Sequence, residues 1–291
     1  MTAAGLSAAI GLALDDQVNA MTSLRGGDVA ESYRVELARA GIVFAKTHRA
    51  PPPGFFSTEA AGLRWLRESG ALPVPDVVAC DDGSAATPPL LVLEWIDEGG
   101  RAQPDEAAFG RDLAQLHQTG AASFGREDRR TTGSRGLPNE TGDSWTEFYA
   151  TQRLVPIARL ISDASHLDEA LASRLEAVAA RLDGLAGPAE PPARLHGDLW
   201  AGNRLVDREG RSWLIDPACF GGHREFDLAM MRLFGGFGDA AFTAYDEVHP
   251  LAPGWAERVA LHQLAPIAIH AVKFGGGYVG GLDRALRALG A

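Results

Sequence analysis

Leu6, Ile10 and Leu14 recur at helical spacing near the start of the chain, and predict an amphipathic helix that packs on the segment following it. There the period shortens. Between Val18 and Thr47, the runs Met21–Leu24, Tyr33–Leu37 and Ile42–Lys46 read as three short strands, with Arg25-Gly26-Gly27-Asp28 as the first turn. Ser57–Glu68 reads as a helix, with Ser57 as N-cap, an apolar stripe of Ala60, Leu63 and Leu66, and Gly70 as its stop. Val74–Cys80 and Leu90–Trp95 give two further strands. From Pro104 the pattern is mainly helical. Asp105–Thr119 carries Phe109, Leu113 and Leu116 on one face, and Ser144–Leu185 carries two helices broken near Ser162-Asp163. Further helices are predicted over Phe226–Phe234 and over Pro253–Leu289, the latter around a break at Gly275–Gly277. Leu205-Val206 and Trp213–Ile215 form a hairpin around Asp207–Gly210 that ends at Asp216. The polar, Gly-rich stretch Gly120–Gly142 is a loop, and Pro188–Pro192 a linker.

Composition narrows this picture. The 291 residues, 46% of them hydrophobic, are enough for one large domain or two lobes. A net charge of −11 argues against a nucleic-acid binder, which needs a basic face, and is compatible with a small cationic substrate. Cys80 and Cys219 are too few for a disulfide framework and point to a reducing compartment. The first apolar run has no basic residues before it and ends at Asp15-Asp16, so it is not a secretion signal. No run approaches the length of a membrane span, and the expected location is the cytoplasm.

The chemistry gathers in Leu195–Asp216. Asp198 and Asn203 are five positions apart, the spacing of the H-R-D-x-x-x-x-N loop of kinase-type phosphotransferases. The hairpin after Asn203 returns the chain, so that Asp216 can lie beside it. One carboxylate then accepts a hydroxyl proton, while an amide oxygen and a second carboxylate hold Mg²⁺ against phosphate. Upstream, Val43-Phe44-Ala45-Lys46 corresponds to the strand that ends in a phosphate-binding lysine, and Glu59 is placed to pair with Lys46. Gly26 and Gly27 stand where a phosphate-covering loop belongs, although the loop lacks the G-x-G-x-x-G pattern. Glu94–Ile96 stands where a hinge would offer its backbone to adenine. The run Gly275–Gly280 does fit G-x-G-x-x-G, but follows no strand and has too little chain after it for a dinucleotide fold.

LHGDLWAGN (Leu195–Asn203), IDPA (Ile215–Ala218), GHREFDLAMMRLFGGF (Gly222–Phe237), FFSTEAAGLRWL (Phe55–Leu66) and HAVKFGGGYV (His270–Val279) together resemble the fructosamine kinase, or ketosamine-3-kinase, family over nearly the full length. The resemblance implies an α+β, two-lobed, protein-kinase-like fold. Residues 1–95 would form a small antiparallel-sheet nucleotide-binding lobe, and 96–291 a larger, mainly helical catalytic and substrate-binding lobe. It implies ATP- and Mg²⁺-dependent phosphorylation of the 3-hydroxyl of a ketosamine, free or on protein amines. Lys46 would bind the α- and β-phosphates, Glu59 would orient it, Asp198 would be the base, and Asn203 and Asp216 the metal ligands. His196 and Asp227 would support the loop, and Trp200, His270 and Tyr278 are candidates for the substrate side. Asp216 is followed by Pro217 rather than Phe-Gly, with no long activation loop before Phe226, so kinase-style phosphoregulation is not expected. The glycine loop has no cysteine, so a redox switch is not expected either. The alternatives are an aminoglycoside or choline-type phosphotransferase of the same fold, and a nucleotide-binding pseudokinase scaffold.

Overall fold

The computed structural model describes residues 3–24, 30–84, 87–100, 102–128, 130–131 and 136–291. Gly26 and Gly27 lie outside the described residues. The chain divides into two compact units, one drawn from Met1–Asp105, Gly133–Gly136 and Arg204–Ala218, the other from Glu106–Thr132, Leu137–Asn203 and Cys219–Ala291, as far as these are described.

The first unit is built on a five-stranded antiparallel sheet of β1 (Val18–Leu24), β2 (Glu31–Leu37), β3 (Ile42–Thr47), β4 (Val77–Asp81) and β5 (Leu90–Glu94), in the order β1-β2-β3-β5-β4. Side chains alternate across a strand. Val43 and Ala45 therefore share one face, where Leu6 and Ile10 of α1 (Ala3–Leu14) pack against them with Val35, Leu37, Leu90 and Val92. Lys46 consequently points to the opposite face, the side of α2 (Phe55–Arg67). α2 begins two residues earlier than the pattern indicated, after Gly54 at φ 71°. Ser57 is not its N-cap. Asp82 takes that role from a distant part of the chain, its Oδ1 accepting from the backbone N–H of Phe56 and of Ser57, both at 3.0 Å.

Strands β7 (Arg204–Val206) and β8 (Ser212–Leu214) form the expected hairpin. Its turn is closed by Asp207, which accepts from the N–H of Glu209 and Arg211 and from Trp213 Nε1. The hairpin belongs to the first unit through Gly99 N–H on Val206 O and Leu214 N–H on Pro73 O.

The second unit is mostly helical. α3 (Glu106–Gln118) lies against α8 (Asp239–Val248) so closely that a Cβ on Gly110 would sit 2.0 Å from Ala241 O. α4 (Trp145–Tyr149) runs through a π-turn at Ala150–Leu154 into α5 (Val155–Asp163), and α6 (Glu169–Ala179) follows. A two-stranded pairing of β6 (Ala193–Leu195) with β9 (Phe220–Gly222) leads into α7 (Glu225–Leu233). α9 (Trp255–Phe274) and α10 (Gly277–Ala288) close the unit, separated by Gly275 and Gly276 at φ 61° and 55°. The Gly275–Gly280 run is thus a helix–helix turn at Gly275 and Gly276 followed by the first turn of α10. Pro266 inside α9 has no N–H to donate. Buried Tyr149 helps there: its hydroxyl lies 3.4 Å from His262 O, the carbonyl that Pro266 leaves without a donor, and 2.9 Å from Leu261 O, and accepts from Ala265 N–H. Among the described residues, no helix is long and apolar enough to cross a membrane.

Candidate active site

In the first unit, the end of β3 carries Lys46, only 6% exposed. Its Nζ donates to Glu59 Oε1 at 2.8 Å and to Asp216 Oδ1. Burial alone would push the Lys46 ammonium toward neutrality, but the two carboxylates outweigh it and hold its pKa above the ordinary range. Burial acts the other way on Glu59, lifting its carboxyl against the attraction of Lys46. Asp216 follows the hairpin with φ 53°, left-handed backbone that costs a non-glycine residue energy. Such strain collects where a side chain must face a particular way. Asp216 keeps 39% of its side chain exposed to solvent. Glu94 ends β5, its Oε2 accepting from Asp76 N–H, and Ile96 beyond it is 8% exposed.

In the second unit, the loop after β6 is held from behind by Asp227, on the first turn of α7 and fully buried. Asp227 accepts from the N–H of His196 at 2.7 Å and of Gly197 at 2.9 Å. His117 Nε2 lies 3.4 Å from the same carboxylate, and its Nδ1 lies 2.7 Å from the Tyr245 hydroxyl. Gly197 has φ 81°, which few other residues tolerate. His196 is fully buried, and its Nδ1 accepts from Asp198 N–H at 3.2 Å. Leu199 is buried and anchors the loop, while Asp198 is half-buried. Asn203 Nδ2 donates to Asp198 O at 2.8 Å and to Asp198 Oδ2 at 3.0 Å. The carboxylate is therefore fixed by its own loop, five residues on.

Trp200 is 38% exposed, so its indole lies at the surface and not in the core. It meets Phe234 edge-on at 5.8 Å, and Phe234 in turn meets His270 at 5.4 Å and Tyr278 at 6.4 Å. His270 and Tyr278 are 5.0 Å apart, with Phe274 beside both. The three residues marked for the substrate side thus share one group of rings. Phe234 and Phe274, 41% and 51% exposed, belong to it and were missed, although both fall within runs already singled out. Gly202 was missed as well: a Cβ there would stand 2.2 Å from the Trp200 ring, so glycine lets the indole fold back over the turn.

A lysine held between two carboxylates and an Asp-x-x-x-x-Asn loop on a buried brace define a phosphotransferase of the kinase-like type, and the fold is one shared with aminoglycoside and macrolide phosphotransferases of known structure. The profile described as fructosamine kinase matches residues 4–290, and the chain belongs to that family. A probable ketoamine kinase of Synechocystis sp. is 36% identical over 81% of this chain and 78% of its own length. The chloroplastic protein-ribulosamine 3-kinase of Arabidopsis thaliana is 33% identical over 90% of this chain and 80% of its own. The crystal structure of a Thermobifida fusca protein described as a fructosamine-3-kinase superposes with TM-score 0.90 at 39% identity, covering 100% of both chains. The protein is accordingly an enzyme that transfers a phosphoryl group to a hydroxyl acceptor.

Proposed function

We propose that this enzyme transfers the γ-phosphoryl group of ATP to the 3-hydroxyl of a ketosamine of the fructosamine or ribulosamine kind, free or carried on a protein amine. The observation that carries the reading is the loop from His196 to Asn203. Its backbone is pinned by the buried Asp227 carboxylate, Asn203 holds Asp198, and Trp200, two residues later, joins an exposed group of rings. A sugar face packs on such rings, and a protonated amine gains about 0.5–2 kcal/mol over an aromatic face. A ketosamine offers both. Family membership and the name of the ribulosamine 3-kinase relative support the same acceptor and the same hydroxyl.

In this reading Lys46, kept charged and oriented by Glu59, binds the α- and β-phosphates. Gly26 and Gly27 cover the phosphates, and the backbone at Glu94 and Ile96 takes the adenine edge. The residues present suit magnesium: Asp216, with a part-exposed carboxylate, and Asn203, whose amide nitrogen is bonded to Asp198, would hold it through oxygen. These are the hard oxygen donors that magnesium takes together with phosphate and water. When bound, the ion neutralises phosphate charge. Asp198 orients the sugar hydroxyl and accepts its proton, while His196 and Asp227 keep the loop in place.

The test is ADP release with fructosyl- and ribulosyl-lysine, aminoglycosides and choline as acceptors. The expected result is turnover with a ketosamine and none with the others. Turnover confined to aminoglycosides or choline would overturn the acceptor and leave the kinase standing, and ATP binding without any turnover would point to a scaffold.

A further inference from the structure

Behind Asp227 stand two buried side chains from helices far from the loop in sequence, His117 on the last turn of α3 and Tyr245 on α8. They meet because α3 and α8 touch at Gly110 and Ala241. His117 follows Gly110 by two turns and Tyr245 follows Ala241 by one, each on the same face of its helix. The two rings stand edge-on with centroids 5.5 Å apart. The Tyr245 hydroxyl lies 2.7 Å from His117 Nδ1, and His117 Nε2 lies 3.4 Å from Asp227 Oδ2. Beside the hydroxyl stands Arg224, whose guanidinium donates hydrogens and accepts none. Burial outweighs this cation and raises the Tyr245 pKa, so the phenol keeps its proton.

These groups leave one consistent placement of hydrogens. A buried phenol hydrogen needs an acceptor, and among the described residues His117 Nδ1 is the one within reach. The ring hydrogen of His117 is then on Nε2, which donates it to Asp227 Oδ2. The opposite tautomer would strand the phenol hydrogen and turn a nitrogen lone pair onto the carboxylate. Asp227 thus receives the N–H of His196 and of Gly197 from the loop, and the Nε2–H of His117 from α3. We propose that Tyr245 is a positioning residue for phosphoryl transfer: by fixing the tautomer of His117 it sets the Asp227 carboxylate, and through it the backbone that carries Asp198. This role rests on the reading of Asp198 as the group that receives the acceptor's proton. Without the hydroxyl, the imidazole is free to present either nitrogen as the donor. The carboxylate then loses a constant partner, and the two backbone N–H groups that depend on it lose a fixed acceptor.

Long-range proton–nitrogen correlation spectra of the histidine rings report which nitrogen of His117 carries the hydrogen, with His117→Leu identifying its signal. The wild-type protein is expected to show hydrogen on Nε2 alone. Tyr245→Phe keeps the ring and removes only the hydroxyl, so His117 should then populate both tautomers. With fructosyl-lysine as acceptor, its kcat should fall about 2–10-fold, the worth of one hydrogen bond, with KM within about twofold of wild type. His117→Leu already lacks the donor, so adding Tyr245→Phe to it should lower kcat no further. Hydrogen on Nδ1 in the wild type would overturn the proposal without any variant. So would a Tyr245→Phe enzyme that melts earlier but turns over at the wild-type rate, or a further fall in kcat in the double variant. Near wild-type turnover in Asp198→Asn would instead overturn the reading of Asp198, and this role for Tyr245 with it, whatever the tautomer.

Discussion

Lys46 is held by charge, and the loop that carries Asp198 is held by backbone hydrogen bonds. Around Lys46, one ammonium meets two carboxylates, and the remaining negative charge is tolerated because Asp216 keeps part of its side chain in solvent. Around the loop, Asp227 is fully buried and faces two backbone N–H groups and a histidine. The first arrangement changes whenever a charged ligand changes its surroundings. The second is made by the protein's own groups, chiefly backbone N–H on a buried carboxylate. A residue that handles phosphate charge suits the first, and a base that must stand in one position suits the second.

The largest expected effect separates the two directly. Asp198→Asn keeps the shape of the loop and removes the proposed proton acceptor, so kcat should fall by roughly 10²–10⁴-fold with the melting temperature unchanged. Steady-state rates and a thermal melt on one preparation check both halves of that statement.

Breaking the charged side should instead cost stability. Lys46→Met leaves the buried Glu59 without its counter-ion, a loss of about 3–5 kcal/mol by denaturant unfolding. Adding Glu59→Gln should recover most of it, because the orphaned charge is then gone.

Acid should act on the unit that holds Asp198. His223 and His262 stack at 5.2 Å in the core beside Glu225, which Arg258 clamps at 2.6 and 2.8 Å. Burial, with His262 alongside, lowers the His223 pKa to about 4, and burial also lowers that of His262. Burial would raise the Glu225 carboxyl, but the Arg258 bonds outweigh it and hold it at about 2. All three folded values lie below the unfolded ones, so the unfolded chain binds more protons. The stability from the histidines is present above pH 6.5 and is lost as pH falls toward 4. The loss from His223 alone is roughly 3 kcal/mol, and the difference in melting temperature between pH 7 and pH 4.5 should be correspondingly smaller after His223→Asn.

How much of this was legible follows the distance over which each feature is determined. The Asp198–Asn203 pair is a local spacing, and the hydrogen bonds between the two are local as well. The Lys46 strand and the α1 face of Leu6 and Ile10 follow from periods of two and of about four. The cap on α2 was misread because Asp82 supplies it from 26 residues away, where no local signal exists. β9 escaped notice because it reads Phe-Gly-Gly, poor strand formers that are required here, a Cβ on Gly221 standing 2.0 Å from Ser123 O. α8 escaped because its buried face is two alanines and one tyrosine, Ala241, Ala244 and Tyr245, with no run of large aliphatic residues at helical spacing. Phe234 and Phe274 looked like ordinary helix ends; only the fold brings Phe234 to Trp200 and His270, whereas Phe274 meets His270 through local i,i+4 spacing on α9.

The smallest expected effect sharpens the view of those rings. Trp200→Ala should raise KM for a ketosamine by roughly 2–30-fold, the equivalent of 0.5–2 kcal/mol, with little change in kcat. Because the indole is exposed, its loss should cost far less stability than the about 3–5 kcal/mol of a core tryptophan.

The division of labour between the two regions is tested most directly by titrating MgATP into Asp198→Asn in a calorimeter. If the charge-held lysine serves the nucleotide and the loop the acceptor, as proposed, the dissociation constant should stay within about twofold of wild type although turnover is nearly abolished. Loss of MgATP affinity in parallel with kcat would contradict it, and would make Asp198 part of the nucleotide site instead of the group that takes the acceptor's proton.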